Sequence, residues 1–458
     1  MIRPLGRVGH LSSASVGRRR WTRVRALVVA ALAVLGCGDP LAVDQLDFVD
    51  PGDLETRDGR EALRLGAIGD FATIFGGPFD NFVLATGLLS DELKRTGGSQ
   101  AHSDVDQRRV TEDNGVADRV FRELHRARRS TEGAAALFLE DAAPEEEPDR
   151  VAAELLLLAG YTYVFFGEAF CSGVPVSDVA EDGAITYGPP LTGGELFELA
   201  VQRFDEARSH ATVAGATSVE AASSVGLARA LLGLDRVDEA AVAARSVSTD
   251  FRFEMRYSSN TTRQRNAVYF LNAVLENFSA VDREGENGVD YLTSYEQGDP
   301  RTPWAEGARD DDSNPHYRQL LYLSDSDPVP LASGVEARLI EAEAALRSGD
   351  VTAFDQIHTA LRLEAGSGLP PVDTGGLSPD ERIDFHFRER ALWLWLTGHR
   401  LGDLRRLARD YGRDPESVFP TGPYTRPELG AFGTDVNLPV PRNERNNPLF
   451  DGCLDRDP

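Results

Sequence analysis

Apolar residues recur along most of this chain at the spacing of amphipathic helices. Segments with this period cover residues 61–75, 116–139, 151–170, 195–210, 219–232 and 237–247. Residues 151–170 are apolar on nearly every side, as expected of a helix that its neighbours bury. Because helical periodicity dominates the chain, the pattern predicts a mainly α-helical protein.

Small residues and tight turns indicate that some of these helices pair with one another. One such stretch covers residues 226–244 and turns at Gly233, and a second covers residues 336–364 and turns at Gly349. Small residues at a crossing allow two helices to approach closely, as they do in tetratricopeptide repeats. The two stretches are separated and degenerate, so they do not predict a regular solenoid.

The region between these helical blocks has the composition of loops. Residues 249–332 are rich in glycine, proline and asparagine. An irregular insertion of this length in a compact protein is usually functional. We therefore expect helical parts at residues 37–248 and 333–410, a loop-rich insertion at 249–332 and an extended C-terminal segment at 411–458.

The first 36 residues have the pattern of a lipoprotein signal peptide. An arginine-rich head precedes an apolar run of eleven residues, Ala26 to Gly36, and Cys37 follows directly. The sequence Val-Leu-Gly-Cys that ends at Cys37 has the form of a bacterial lipobox, in which the cysteine takes a lipid after cleavage. We expect residues 1–36 to be removed and Cys37 to be the lipid anchor. The alternative is an ordinary cleaved secretory signal with an incidental cysteine.

The charge and hydropathy of the chain limit its partners. The formal net charge is −26, and the first 36 residues contribute seven arginines and no acidic residue. A surface this acidic does not attract nucleic acid or anionic lipid through its general field. A membrane-spanning helix needs about 20 apolar residues, and we expect no segment after Cys37 to qualify. Cys37 is therefore the only membrane attachment that we expect.

Two further cysteines, Cys171 and Cys453, lie in segments that contain glycine or serine rather than on apolar helix faces. An exported compartment permits a disulfide between them. Such a bridge would connect the C-terminal end of the chain to its middle. The alternative is a pair of buried free thiols, and we favour the bridge.

The sequence contains no motif that predicts catalysis. A zinc-protease H-E-x-x-H, a phosphate-binding loop, a G-x-G-x-x-G and a G-x-S-x-G are all absent. Carboxylates are too abundant to single out a glycosidase pair. The acidic run at residues 310–312 offers ligands for calcium, although a solvated loop is the favoured interpretation. We predict no catalytic residue, no metal site and no cofactor.

Aromatic residues in the loops are the candidates for ligand binding. Carbohydrate sites present exposed rings to the apolar faces of sugars, with polar groups nearby for the hydroxyls. Tyr291, Tyr295 and Trp304 in the insertion fit that chemistry, and Phe79 with Asn81 forms a second candidate platform. The alternative is that these residues pack the loops onto the helices.

Three ordered motifs carry a resemblance to a known family. The first is an alanine-rich helix with Ala-Glu-Ala at residues 336–346. The second, at residues 389–406, contains Glu-Arg and ends in Gly-His-Arg-Leu-Gly-Asp-Leu-Arg-Arg. The third, at residues 437–448, contains Pro-Val-Pro, a glutamate and Asn-Pro. This set resembles the SusD/RagB family of outer-membrane lipoproteins, although Thr397 stands where the family often has glutamate.

The resemblance implies a fold and a function. The fold would be mainly α, a SusD-like fold with tetratricopeptide-like helix pairs plus a loop-rich region that faces the ligand. The protein would be a non-catalytic, surface-exposed lipoprotein of the outer membrane. It would capture a glycan or peptide nutrient and pass it to a TonB-dependent, SusC-like transporter. Two alternatives stay open: a tetratricopeptide-type envelope adaptor that binds only proteins, and a lipoprotein hydrolase with dispersed carboxylates.

The second motif also permits expectations from spacing alone. Arg400, Asp403 and Arg406 follow one another at intervals of three, so they can pair as a ladder on one helical face. Trp393 and Trp395 are two residues apart on the predicted helix and cannot share a face, so we expect that helix to be packed on both sides. We expect these residues to be scaffold rather than binding site.

Overall fold

The architecture is known from a computed structural model in which the described residues are 56–458, apart from 79, 181–182, 309–313 and 365–367. They belong to one unit, Pro51–Pro458. The signal peptide, Cys37, Phe79 and the acidic run at 310–312 lie outside the described residues. The secondary structure is 55% helix and 9% strand, which confirms the mainly α-helical class.

Helices form most of the first half of the described chain, and most of them lie where the periodicity predicts a helix. They are α1 (Arg57–Gly76), α2 (Phe82–Leu89), α3 (Gln100–Asp106), α4 (Gly115–Asp141), α5 (Pro148–Ala169), α6 (Gly193–Ala214), α7 (Thr217–Gly233) and α8 (Val237–Ala244). Local sequence sets several of their ends. The Thr56 hydroxyl caps α1, and Thr192 with Glu195 forms a capping box that starts α6.

The second half alternates loops with shorter elements. Its helices are α9 (Ala267–Tyr269), α10 (Tyr291–Glu296), α11 (Gly334–Ser348), α12 (Val351–Glu364), α13 (Pro379–Trp393), α14 (Arg400–Arg409) and α15 (Pro415–Val418). A π-helical turn, Phe270–Val274, follows α9 directly. The pairs α7–α8 and α11–α12 are the two helical hairpins that the glycine-containing turns predict, and Gly349 ends α11 in the left-handed region with φ 75°.

The strands are short and pair two at a time. They are β1 (Leu93–Arg95), β2 (Val174–Pro175), β3 (Asp178–Val179), β4 (Ile185–Thr186), β5 (Pro190–Leu191), β6 (Arg252–Met255), β7 (Phe278–Ala280), β8 (Trp304–Glu306), β9 (Tyr317–Gln319) and β10 (Val329–Ser333). The antiparallel pairs among them are β1–β7, β2–β5, β3–β4, β6–β10 and β8–β9. Within the insertion β8 and β9 form a hairpin, whereas β7 pairs with β1 from the first half of the chain and β6 pairs with β10 at the opposite end of the insertion.

Two phenylalanine rings of α6 fit into gaps that glycines leave in the neighbouring helices. The Phe204 ring lies against Gly160 of α5 and Gly226 of α7, where an added Cβ would approach the ring far inside van der Waals contact. The Phe197 ring lies in the same way against Gly167 and Gly233. Helices α5, α6 and α7 thus interlock through ring and gap, which explains the small residues at these positions.

Helix α5 is the centre of the hydrophobic core. It has 22 residues, and its most apolar 18-residue window has a mean hydropathy of 1.3, so by length and composition alone it could cross a membrane. That corrects the expectation that no segment after Cys37 is long and apolar enough. Within this structure 89% of its most apolar window is buried, and Phe165 stacks on Phe82 with ring centroids 3.9 Å apart. The packing is that of a core helix.

The end of the chain is attached beside the C-terminal end of α5. The Leu438 amide donates to the Ala169 carbonyl over 2.7 Å, and the Cys171 amide donates to the Leu438 carbonyl over 2.9 Å. Cys171 and Cys453 are joined by a disulfide across a sequence separation of 282 residues. This is the pairing that the sequence analysis favours. The last segment is therefore part of the core rather than a free tail.

The expected arginine ladder on α14 forms only in part. Arg406 donates to Asp403 over 2.9 Å, and Asp403 also accepts from Arg390 of α13 over 2.8 Å. Arg400 instead forms a two-point ion pair with Asp91, at 2.6 and 2.8 Å. All five side chains are buried, so the motif connects distant segments inside the protein and the scaffold interpretation accounts for it.

Two buried carboxyl groups have unusual titration behaviour. Burial raises the pKa of Glu92 to about 8, although its Oε1 accepts from the Leu396 amide over 2.8 Å. Burial and repulsion from Asp106 also raise the pKa of Glu284. Both side chains are almost completely enclosed. The fold therefore favours their neutral forms.

We expect the free energy of unfolding to fall as the pH rises from about 4.5 to about 8. The unfolded chain ionises Glu92 at the lower pH, whereas the folded chain does so only at the higher one, so rising pH favours unfolding. The effect per carboxyl is on the order of a few kcal/mol. Urea unfolding across this range measures it. Glu92→Gln should reduce the change in the free energy of unfolding with pH, whereas Glu140→Gln, at an exposed helix position, should leave it unchanged. If the parent and both variants showed the same pH dependence, the raised pKa of Glu92 would not be its cause.

Candidate functional site

A half-buried aromatic pair lies on the β8–β9 hairpin of the insertion. Register places Trp304 opposite Gln319 and Glu306 opposite Tyr317, so Trp304 and Tyr317 are diagonal neighbours on one face. Their rings meet edge to face, with centroids 5.1 Å apart and planes at 81°. Each ring keeps part of its surface exposed. Trp304 is a sequence candidate, and the hairpin adds Tyr317 as its partner.

Contacts with helix α10 fix the orientation of the Trp304 ring. Its Nε1 donates to the Leu292 carbonyl over 3.0 Å. Asp282 in turn holds the start of α10 by accepting from the amides of Leu292 and Thr293 over 2.9 and 3.0 Å. The indole is thus held by a short, capped helix, which pre-orders the ring for contact with a ligand.

Charged groups surround the Tyr317 ring. The ammonium of Lys94, the single lysine of the chain, lies 5.7 Å from the ring centroid. Partial burial raises the pKa of the Tyr317 hydroxyl, and the negative charges of Glu306, Asp282 and Glu296 add to the effect. Exposed carboxylates at Glu296 and Glu306 thus lie near the aromatic pair, whereas the charge of Lys94 is buried beside it. That combination suits a ligand with an apolar face and many hydroxyl groups.

Tyr295 is the most exposed of the candidate rings. It lies on α10, the helix that receives the Trp304 hydrogen bond, and 37% of its surface is exposed. Among the ring contacts of the described residues, Tyr295 takes part in none with Trp304 or Tyr317. We define the aromatic patch as Trp304, Tyr317 and Tyr295.

Two sequence candidates need correction because they have no surface for a ligand. Tyr291 is completely buried, and its ring stacks on Trp395 with centroids 5.8 Å apart. Asn81 is also completely buried; its side chain accepts from the Leu84 amide over 3.0 Å as the N-cap of α2. Both residues are scaffold in this structure. Phe79, the other half of the second platform, lies outside the described residues.

The expectation for Trp393 and Trp395 is also wrong, because α13 ends at Trp393. Beyond it Leu396 adopts a left-handed conformation with φ 55°, and Gly398 follows with φ 76°. The turn carries both indoles to the wall of the same cavity. They therefore do share an environment, although they are not on one helical face.

The residues in the described ranges contain no group of three or more histidine, cysteine, aspartate or glutamate side chains placed to hold a metal ion. This finding does not extend to the acidic run at 310–312, which the described ranges omit.

Comparisons with known proteins identify the fold. No family model matches the chain, and no curated protein matches it either. A SusD-like carbohydrate-binding protein from Bacteroides fragilis NCTC 9343 superposes with a TM-score of 0.66 at 14% identity, over 87% of this chain and 99% of that one. A SusD superfamily protein from Bacteroides thetaiotaomicron gives 0.62 at 15% identity, over 86% and 100%.

A third solved structure, a laminarin-binding SusD-like protein, gives a TM-score of 0.62 at 14% identity, over 87% of this chain and 99% of that one. Identities this low show the fold and no more. The chain therefore has a SusD-like fold, which confirms the fold that the three sequence motifs imply.

Proposed function

We propose that this protein is a non-catalytic receptor that captures a glycan at the aromatic patch and passes it to a transporter. The observation that carries the proposal is the half-exposed Trp304–Tyr317 pair, held at the surface of the insertion and bordered by Lys94 and several carboxylates. Similar structures named as carbohydrate-binding or laminarin-binding support a glycan over a peptide.

The geometry suits sugar rings for two reasons. The exposed parts of Trp304 and Tyr317 provide apolar surface against which the C–H face of a sugar can pack. The exposed carboxylates of Glu296 and Glu306, whose charges act on Tyr317, accept hydrogen bonds from hydroxyls. Because the rings are already oriented in the free protein, less conformational entropy is lost on binding.

The remainder of the proposal concerns location and partner. Lipidation at Cys37 would attach the chain to the outer membrane, with the SusD-like domain at the cell surface. A TonB-dependent, SusC-like barrel would be the transporter that receives the ligand. The lipobox and the fold support this placement. A tetratricopeptide-type adaptor that binds only proteins is the alternative function.

Replacing Trp304 by alanine is expected to weaken glycan binding about five- to thirtyfold, because the ring supplies stacking surface worth about 1–2 kcal/mol. Isothermal titration calorimetry with laminarin and a panel of other glycans measures the effect. Tyr187→Ala removes a more exposed ring from the β4–β5 connection, so it serves as the control and should leave affinity unchanged. Trp304→Phe should restore part of the binding.

Trp304 also donates a hydrogen bond to Leu292, so its replacement could disturb the fold as well as the contact with the ligand. Thermal unfolding of each variant distinguishes these two effects. If a folded Trp304→Ala protein bound glycan with unchanged affinity, the aromatic patch would not be the glycan-binding site. If no glycan or peptide binds the parent protein while affinity purification from native membranes recovers only non-transporter partners, the adaptor alternative is favoured instead.

A further inference from the structure

A cleft lies between helix α4 and residues 174–179, the segment that contains β2 and β3. Its volume is about 520 Å³, within the range of small-molecule sites. The described residues that line it include three arginines and none of the aromatic patch. We call it the arginine cleft. It is separate from the surface that the proposed function uses.

The three arginines form one side of the cleft. Arg122, Arg126 and Arg129 follow one another at intervals of four and three residues along α4, so they lie on one face of the helix. All three side chains are exposed. Because the formal net charge of the chain is −26, this row of positive charges is opposite in sign to the protein as a whole.

Most of the hydrogen-bonding capacity of these guanidinium groups is unused. Arg129 forms no ion pair with any described residue, and its hydrogen bond, over 3.2 Å, goes to a backbone carbonyl. Arg122 donates to Asp118 through Nε, and Nη1 of Arg126 lies 3.2 Å from Glu123. Such exposed pairs within one helix contribute little. Since a guanidinium has five N–H donors, each arginine can still bind an anion.

The charges that act on His125, another residue of the cleft, are positive. Burial lowers the pKa of His125 to about 3, and the charges of Arg128 and Arg129 add to the effect. Among the described residues, no carboxylate offsets these charges at the ring. The imidazole is therefore neutral at pH 7. Neither of its nitrogens is enclosed or has a hydrogen-bond partner among the described residues, so its N–H can donate to a ligand.

The opposite wall of the cleft is held in place by α4 itself. The buried Arg128 guanidinium donates to the Ser177 carbonyl over 2.7 Å and to Asp178 over 3.0 Å. Arg129 donates to the Val179 carbonyl over 3.2 Å. These bonds fix the distance between the two walls, so the cleft exists before any ligand binds.

The size of the cleft favours an organic anion over a bare ion. A water molecule occupies about 30 Å³, so a single inorganic ion would leave most of the cleft open. Val179 at the edge is 38% exposed, and the hydrocarbon stems of the arginines add apolar surface. An organic body that carries the charged group can pack against both.

We propose that the arginine cleft binds a small organic anion, with its carboxylate or phosphate group held by Arg122, Arg126 and Arg129 and its organic body packed against Val179. The planar fork of an arginine matches the geometry of these oxyanions. Three arginines would repel a cation, and a neutral ligand would leave their charges without a counter-ion. A long polyanion such as nucleic acid is not favoured, because the chain as a whole is acidic.

One lining carboxylate opposes the proposed ligand. Glu444 forms no ion pair with another described residue. Burial raises its pKa, and repulsion from Asp118 adds to the effect. Because its charge weakens the positive field of the cleft, Glu444→Gln should strengthen anion binding severalfold. An unfolded variant could not produce such a gain.

Isothermal titration calorimetry on the full chain at low ionic strength tests the proposal. Phenyl phosphate and benzoate are the organic anions, inorganic phosphate is the bare ion, and benzyl alcohol and benzylamine are the neutral and cationic probes. We expect phenyl phosphate or benzoate to bind. Its affinity should fall about tenfold or more in Arg126→Gln and in Arg129→Gln, because each variant removes charge-assisted hydrogen bonds.

Arg236→Gln is the matched control. Arg236 pairs with Glu239 three residues away, as Arg126 does with Glu123, but it lies outside the cleft. This variant should bind the anion as the parent does. Trp304→Ala should also do so, which separates this test from glycan capture at the aromatic patch. Thermal unfolding verifies that each variant is folded.

Four results overturn the proposal. One is that neither phenyl phosphate nor benzoate binds. Another is that folded Arg126→Gln and Arg129→Gln proteins bind the anion as tightly as the parent does. A third is that benzyl alcohol or benzylamine binds as tightly as the anions, so that charge is not recognised. The last is that inorganic phosphate binds as tightly as phenyl phosphate, so that the cleft takes a bare ion.

Discussion

Replacing both Cys171 and Cys453 by serine is expected to lower the free energy of unfolding by about 2–5 kcal/mol. The bridge closes a loop across a sequence separation of 282 residues, so its removal greatly enlarges the conformational freedom of the unfolded chain. The loss should also loosen the C-terminal segment, whose Leu438 is bonded to both Ala169 and Cys171. Guanidinium unfolding of the oxidised parent and the double variant measures the difference.

The reduced parent protein is the matched control, because it lacks the bridge but keeps both sulfur atoms. It should unfold at the same denaturant concentration as the Cys171→Ser, Cys453→Ser protein. A double variant as stable as the oxidised parent would show that the packing of the C-terminal segment alone holds it in place.

The second large effect is expected for Glu343, which lies in α11 and is completely buried. It accepts from Arg406 through both oxygens, at 2.5 and 3.1 Å, and from the Tyr411 hydroxyl over 2.8 Å. Burial alone would raise the pKa of Glu343, but the attraction of Arg406 outweighs it and holds the pKa well below its usual range. Glu343→Gln should cost about 3–5 kcal/mol, because Arg406 then keeps only Asp403 as a carboxylate partner, and Asp403 is shared with Arg390.

A solvent-exposed ion pair gives the comparison for this experiment. Arg236 and Glu239 form a pair of similar length, 2.6 Å, but both side chains are largely in water. Glu239→Gln should change stability by less than about 1 kcal/mol. Urea unfolding of both variants at neutral pH measures the contrast. The interpretation would be wrong if Glu343→Gln were no more destabilising than Glu239→Gln.

Periodicity predicts the helices well because the apolar residues of each buried face recur at helical spacing along the sequence. Residues 151–170, apolar on all sides, become α5 at the centre of the core. The turn after α13 could not be predicted in this way. Its positive φ at Leu396 is held by Glu92 and Tyr322, which lie far away along the chain. The helical spacing of the motif therefore gave the wrong relation between Trp393 and Trp395.

The binding candidates illustrate the same limit. Tyr291 and Tyr295 lie four residues apart on α10, and composition treats them alike. Only Tyr291 is buried, because Trp395 packs on it from another part of the chain. Tyr317 gains its place beside Trp304 from strand register. Lipidation of Cys37 stays a prediction, since that residue lies outside the described range.

The interlocked helices limit how the protein can move. The Phe204 ring fills gaps at glycines of α5 and α7, and the Phe197 ring fills a second pair of such gaps. If α5 slid by one turn, about 5.4 Å, Leu156 or Val164 would take the place of Gly160 beside the Phe204 ring. Either side chain would collide with that ring. Helices α5, α6 and α7 therefore cannot shear past one another, and they form a rigid block. Any movement that involves this part of the protein therefore carries the three helices together.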